Sequence, residues 1–148
     1  MVSTMTKAEY MQMYDLVGAC MEVYNTAGRG MSEPIYQEML EIELGKAGVE
    51  FEREKKLSMY YKGQRLKKEY YADFYSHGVI LELKSVVEIK PEHRAQLFNY
   101  ARMTKTRRCI LINFGEASLH AERYLYQDEE DDFALVKKCN LDIYVRDE

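Results

Sequence analysis

The stretch Ala72–Ser85, "ADFYSHGVILELKS", decides the fold. It begins as a strand, breaks at His77-Gly78 and resumes as the apolar run Val79–Lys84. A two-residue loop of that composition joins two antiparallel strands. Counting outward from it sets the register: Ser76 faces Val79, Tyr75 faces Ile80, Phe74 faces Leu81, and Asp73 faces Glu82. Opposed side chains on one sheet face lie about 4.5–5.5 Å apart at Cβ, where like charges are destabilising. Lys84, two residues beyond Glu82, shares their face. Two acids and a base are thus gathered in an apolar strand pattern. One remedy for the repulsion is a hard divalent cation, which takes carboxylate oxygens, water and substrate phosphate as ligands. The other is neutralisation by Lys84 on a solvated face, since a bare Glu-x-Lys is short and common.

Outward from the hairpin, period-two patterning covers "VEFEREKKLSMYY", "QRLKKEYYADFYS" and "VILELKSVVEI", with turns at Lys62-Gly63 and His77-Gly78. Upstream, Tyr10, Met13, Val17, Cys20 and Tyr24 recur at helical spacing, and Gly28 and Gly30 end that helix. A second helix is predicted from a Ser32 cap, with Glu33 and Pro34 in its first turn and a buried stripe of Ile35, Met39, Leu40 and Leu44. Gly48 stops it. Downstream, Pro91 opens a third helix with Ala95, Phe98 and Met103 toward the core. "RRCILINFG" reads as a buried strand and "LHAERYLYQ" as one more. "DEEDD", Asp128–Asp132, reads as a solvated loop, and "LDIYV" as a terminal edge strand. The order αα-βββ-α-β predicts an α+β fold, a central mixed sheet flanked by helices.

The length of 148 residues predicts one domain, 1–148. No apolar run approaches the ~18 residues of a membrane span, and the N-terminus lacks the pattern of a signal peptide. Three widely spaced cysteines, Cys20, Cys109 and Cys139, argue against a disulfide framework and fit a reducing cytoplasm. The net charge of −4 hides an uneven distribution. Residues 1–50 hold three Lys/Arg against eight Asp/Glu, residues 51–115 fourteen against seven, and residues 116–148 four against ten. A basic middle between acidic flanks points to an anionic partner, or to lysines covering exposed strand faces. Lys55, Lys56, Lys67, Lys68, Lys105, Arg107 and Arg108 are candidate phosphate contacts.

Asp73 followed by Glu82-Leu83-Lys84 on the next strand resembles the signature of the PD-(D/E)xK, or restriction-endonuclease-like, nuclease superfamily, with Ala72 in place of its proline. "GMSEPIY", Gly30–Tyr36, reads as G-x-x-E-x-x-Y and resembles the bacterial GxxExxY proteins of that superfamily. "QLFNY", Gln96–Tyr100, reads as Q-x-x-x-Y on the following helix, similar to RecB-type exonuclease domains. The resemblance implies a restriction-endonuclease-like fold and a metal-dependent nuclease acting on DNA. It implies Mg²⁺ or Mn²⁺ held by Asp73, Glu82 and the Leu83 carbonyl, with Glu33 assisting. Lys84 would orient or help deprotonate the attacking water and stabilise charge on the phosphate, and Gln96 and Tyr100 would position the nucleic-acid strand or shore up the site. A catalytically silent nucleic-acid-binding or interaction module, with homodimeric assembly open, is the competing expectation.

Overall fold

The computed structural model describes residues 1–147. Strand β1 (Met5–Thr6) precedes helices α1 (Lys7–Ala27) and α2 (Glu33–Lys46). Strands β2 (Glu52–Tyr61), β3 (Gln64–Ser76) and β4 (Val79–Lys84) lead to helix α3 (Pro91–Met103). Strands β5 (Arg108–Asn113), β6 (His120–Gln127) and β7 (Asp132–Val136) follow, then a short helix α4 (Leu141–Tyr144) and strand β8 (Val145–Arg146). The main sheet has the order β2-β3-β4-β5-β6-β7. β4 and β5 run parallel and the other neighbours antiparallel, so the sheet is mixed and the fold α+β, as expected.

Alternation along β4 and β5 sorts the core into two layers. Val79, Leu81, Leu83, Ile110 and Ile112 pack beneath α1 and α2, whereas Ile80, Cys109 and Leu111 pack beneath α3 with Leu97 and Ala101. Glu82 and Lys84 therefore emerge on the α3 face. Each aliphatic side chain buried this way contributes about 1.5–3 kcal/mol, which holds the strand register against slippage.

The turn dipeptides act as read. His77 and Gly78 have φ of 50° and 79°, and Lys62 and Gly63 have 47° and 77°. Paired positive φ values are the two-residue turn whose twist matches flanking strands. The pairs Ser76 with Val79, Tyr75 with Ile80 and Phe74 with Leu81 form as counted.

Several expectations need correction. β4 ends at Lys84 instead of running to Ile89, because the Asn113 side chain takes both backbone groups of Val86, at 3.0 and 2.9 Å. Gly115 lies so close to this loop that a Cβ there would sit 2.1 Å from the Val86 carbonyl oxygen. Ile35 is 46 % exposed, and Tyr36 and Gln37 take the buried places in α2. Ser32 occupies the N-cap position of α2 without a side-chain capping bond. Ala95 is exposed, and Leu97 and Ala101, four apart, form the buried stripe of α3. "LDIYV" is mostly helix, and only Val145 and Arg146 form strand, parallel to Met5 and Thr6. β7 starts at Asp132, the last acid of the "DEEDD" run, whose other four members stay in an exposed turn.

Candidate active site

The hairpin changes character at Asp73. An unbroken ladder would continue from Phe74–Leu81 to Ala72–Leu83. Instead, Leu83 N–H donates to Asp73 Oδ2 at 2.8 Å, and Asp73 N–H donates to Glu82 Oε1 at 3.3 Å. The two carboxylates replace backbone acceptors, so β3 peels away from β4 without stranding a donor. The Asp73 carbonyl accepts from Gln37 Nε2 of α2 at 3.2 Å. On the other edge, paired residues skip from Arg53–Phe74 to Lys55–Ala72, and the intervening Glu54 has φ of 50°.

This break rolls the β2–β3 ribbon. Phe74 belongs to the core under α1 and α2, whereas Ala72 and Tyr70, of the same parity, belong to the core under α3. The roll carries Tyr70 over the site, where its hydroxyl donates to Glu82 Oε1. The Tyr70 ring stacks on Tyr100 of α3 at 4.2 Å. Glu82, Lys84, Gln96 and Tyr100 line one crevice together with Tyr70, His93, Leu97 and Leu111. Its free space is about 20 Å³, room for a single water.

The site is electrostatically frustrated. Burial and the neighbouring Asp73 charge push Glu82 up to about 7. Burial likewise raises Asp73; the Leu83 amide opposes this, and Glu33 and Glu54 add to it. Two like charges ~5 Å apart repel by about 3 kcal/mol at an effective dielectric of ~20. Lys84 lowers both carboxyls as a nearby charge, yet among the described residues it forms no ion pair with either.

Glu33 approaches from the opposite layer. It opens α2 and accepts from Ser85 N–H at 3.4 Å, while Ser85 Oγ donates to the Met31 carbonyl at 2.5 Å. Tyr36 closes this loop by donating to the Gly28 carbonyl at 2.6 Å and stacks on Phe114 at 4.2 Å. The G-x-x-E-x-x-Y segment is therefore a brace that holds Glu33 beside the end of β4. Glu33 is felt by Asp73 but is not among the residues lining the crevice of Glu82 and Lys84. Among the described residues, no three His, Cys, Asp or Glu side chains already form a metal cage.

The family model of the PD-(D/E)XK nuclease superfamily matches residues 10–124, from within α1 through most of β6. The chain belongs to this superfamily. Membership supports a nuclease with nucleic acid as substrate, in a superfamily whose members typically use divalent metals. A search of curated proteins finds no match. Among solved structures, that of SSO0001 is 20 % identical with a TM-score of 0.47, and the match covers 61 % of this chain and 48 % of that one. The match thus spans about half the length of SSO0001.

As a member of the superfamily, the chain offers a donor set that fits a hard divalent cation. Asp73 and Glu82 present carboxylate oxygens whose mutual repulsion no cation among the described residues relieves by direct contact. Sequence reasoning missed Tyr70, Gln37, Ser85 and Asn113. Gln37 was accessible, because it lies four residues after Glu33 on the same helix face. Tyr70 was not, because strict alternation puts it opposite Asp73. No helix among the described residues is long and apolar enough to cross a membrane.

Proposed function

We propose that this chain is a nuclease of the GxxExxY type that hydrolyses phosphodiester bonds in DNA with Mg²⁺ or Mn²⁺. The observation that carries the reading is the crossed pair of carboxylates at the hairpin break, with Lys84 beside them and, among the described residues, in no ion pair. Asp73, Glu82 and the Leu83 carbonyl would hold the metal, with Glu33 completing the shell directly or through water. The bound cation would lower the pKa of a water and polarise the phosphoryl oxygen. Lys84 supplies a mobile positive charge for the phosphate as the P–O bond to the leaving group breaks. Gln96 and Tyr100, on one face of α3, hold the scissile strand over the crevice. The Tyr70 hydroxyl engages Glu82 Oε1, so a metal would take the other oxygen or displace that hydroxyl.

The test is divalent-dependent cleavage of plasmid and single-stranded DNA by the wild type, Asp73→Ala and Lys84→Ala. Activity that survives both substitutions would sink the assignment. The Tyr70 bond to Glu82 favours a second reading, a nuclease-like binding module without turnover. Calorimetric titration with Mn²⁺ separates the two: binding that vanishes in Asp73→Ala supports the enzyme, and no binding supports the module. The same proposal takes residues 1–148 as one domain. The three free cysteines support a reducing cytoplasm, and sedimentation tests for a homodimer.

A further inference from the structure

The far end of the β2–β3 ribbon carries a charge pattern that the catalytic site does not use. Residues 55–68 hold six Lys/Arg and no Asp/Glu in a chain of net charge −4, so the rest of the chain stands at −10. Lys56 and Arg65 share Glu69 at 3.6 and 3.4 Å. Among the described residues, Lys62, Lys67 and Lys68 have no acidic partner. Successive strand residues point to opposite faces, so Lys67 and Lys68 place one positive charge on each face of the ribbon. The ribbon is also held in place: Leu57, Met59, Leu66 and Tyr70 share a core with α3, while the six residues 60–65 at the tip are all exposed.

We propose that this ribbon is an arm that grips the backbone of duplex DNA and leads it to Asp73. The inference rests on reading the site as a DNA nuclease and adds the surface that selects the substrate. Charge complementarity names a polyanion. The shape names a duplex, because the cations sit on an edge ribbon two strands wide with an exposed tip, which fits a major groove ~12 Å wide. Single-strand sites, by contrast, line a groove of the protein. The seven steps from Tyr70 to Gly63 span about 23 Å along the ribbon at ~3.3 Å each, or about seven base-pair steps at ~3.4 Å. Tip and crevice therefore touch the same duplex about two-thirds of a helical turn apart.

The test compares the full-length wild type with Lys62→Gln/Lys67→Gln/Lys68→Gln, using fluorescence anisotropy on a duplex of about 20 base pairs. Chelator prevents turnover, and salt is varied from about 50 to 200 mM. Each lost phosphate contact removes about 0.9 from the slope of log K against log salt. The triple variant is expected to bind on the order of 100-fold more weakly, with a slope shallower by about 2 to 3. Its thermal melt should stay unchanged, and Lys62→Gln alone should lower the slope by about 1. Unchanged affinity and slope overturn the arm. Equal loss on a single strand of the same length overturns the duplex assignment. A wild type that binds this way but never cuts removes the nuclease reading and leaves the arm standing. A wild type that cuts while the triple variant binds normally removes the arm alone.

Discussion

Two glutamates on one face of the sheet have opposite fates. Glu82 of β4 and Glu122 of β6 are separated only by Leu111 of β5, with which both are in register. Glu122 receives two bonds from the Arg94 guanidinium at 2.8 and 2.7 Å, one from Tyr124 at 2.5 Å and a contact to His120 at 2.6 Å. Burial would raise Glu122, but these partners outweigh it and hold the carboxyl down at about 2. Glu82 has a second acid and a tyrosine as neighbours and rises to about 7. Equivalent residues on equivalent pleats thus become an anchor for α3 in one place and half of a repelling acid pair in the other. The difference lies in which charges the surrounding elements deliver.

The comparison breaks most sharply in activity. Asp73→Ala or Lys84→Ala should cut divalent-dependent cleavage on the order of 100-fold or more, the scale of losing electrostatic stabilisation in an active site. Glu122→Gln should stay within about tenfold in single-turnover assays, because its role is to position α3. Stability should respond in the reverse order. Glu122→Ala leaves the Arg94 charge half-buried without its partner and should cost about 2 kcal/mol in urea unfolding, discounted for the exposure of Arg94. Asp73→Asn should be neutral or stabilising without metal, since it removes a like charge.

Thermal melts across pH sharpen the contrast without cleavage. Glu82 has its folded pKa raised, so the metal-free folded state keeps a proton that the unfolded chain has released. Its contribution is present at and below about pH 4.5 and is lost as pH rises toward 7. Glu122 has its folded pKa lowered, so its contribution is present above about pH 4.5 and is lost as pH falls toward 2. Glu82→Gln should flatten the neutral limb of the melting profile and Glu122→Gln the acid limb; exchanged effects would refute the assignment. A modest effect is expected at Gln37. Gln37→Ala removes one hydrogen bond to the Asp73 carbonyl and should cost about 1 kcal/mol, with a larger loss in cleavage than in stability if it holds the hairpin break open.

Much of this site was legible along the chain because strand geometry is local. The positive-φ turn at His77-Gly78 sets a register that holds as counted to Phe74–Leu81; the count also brings Asp73 near Glu82, although the ladder does not pair them. Gln96 and Tyr100 reach one crevice because four residues make one helical turn. What escaped reading depended on partners distant in sequence. Ala95 looked like a core residue by composition, but the sheet chose the face of α3 that carries Leu97 and Ala101. Nothing in the local pattern marks Glu122, and only the approach of α3 gives it Arg94.

The sequence by itself determined the hairpin, the parity that sends Glu82 and Lys84 to one face, and the concentration of positive charge on one ribbon. These follow from turn chemistry and two-residue periodicity, which act over a few bonds. Only the tertiary structure decided that the ladder breaks at Asp73, that the ribbon rolls to lay Tyr70 over Glu82, and that the G-x-x-E-x-x-Y loop braces Glu33 against Ser85. Those outcomes come from two helical layers competing for the same sheet. Burial and charge from distant residues, which no local pattern encodes, then raise the Asp73 and Glu82 carboxyls.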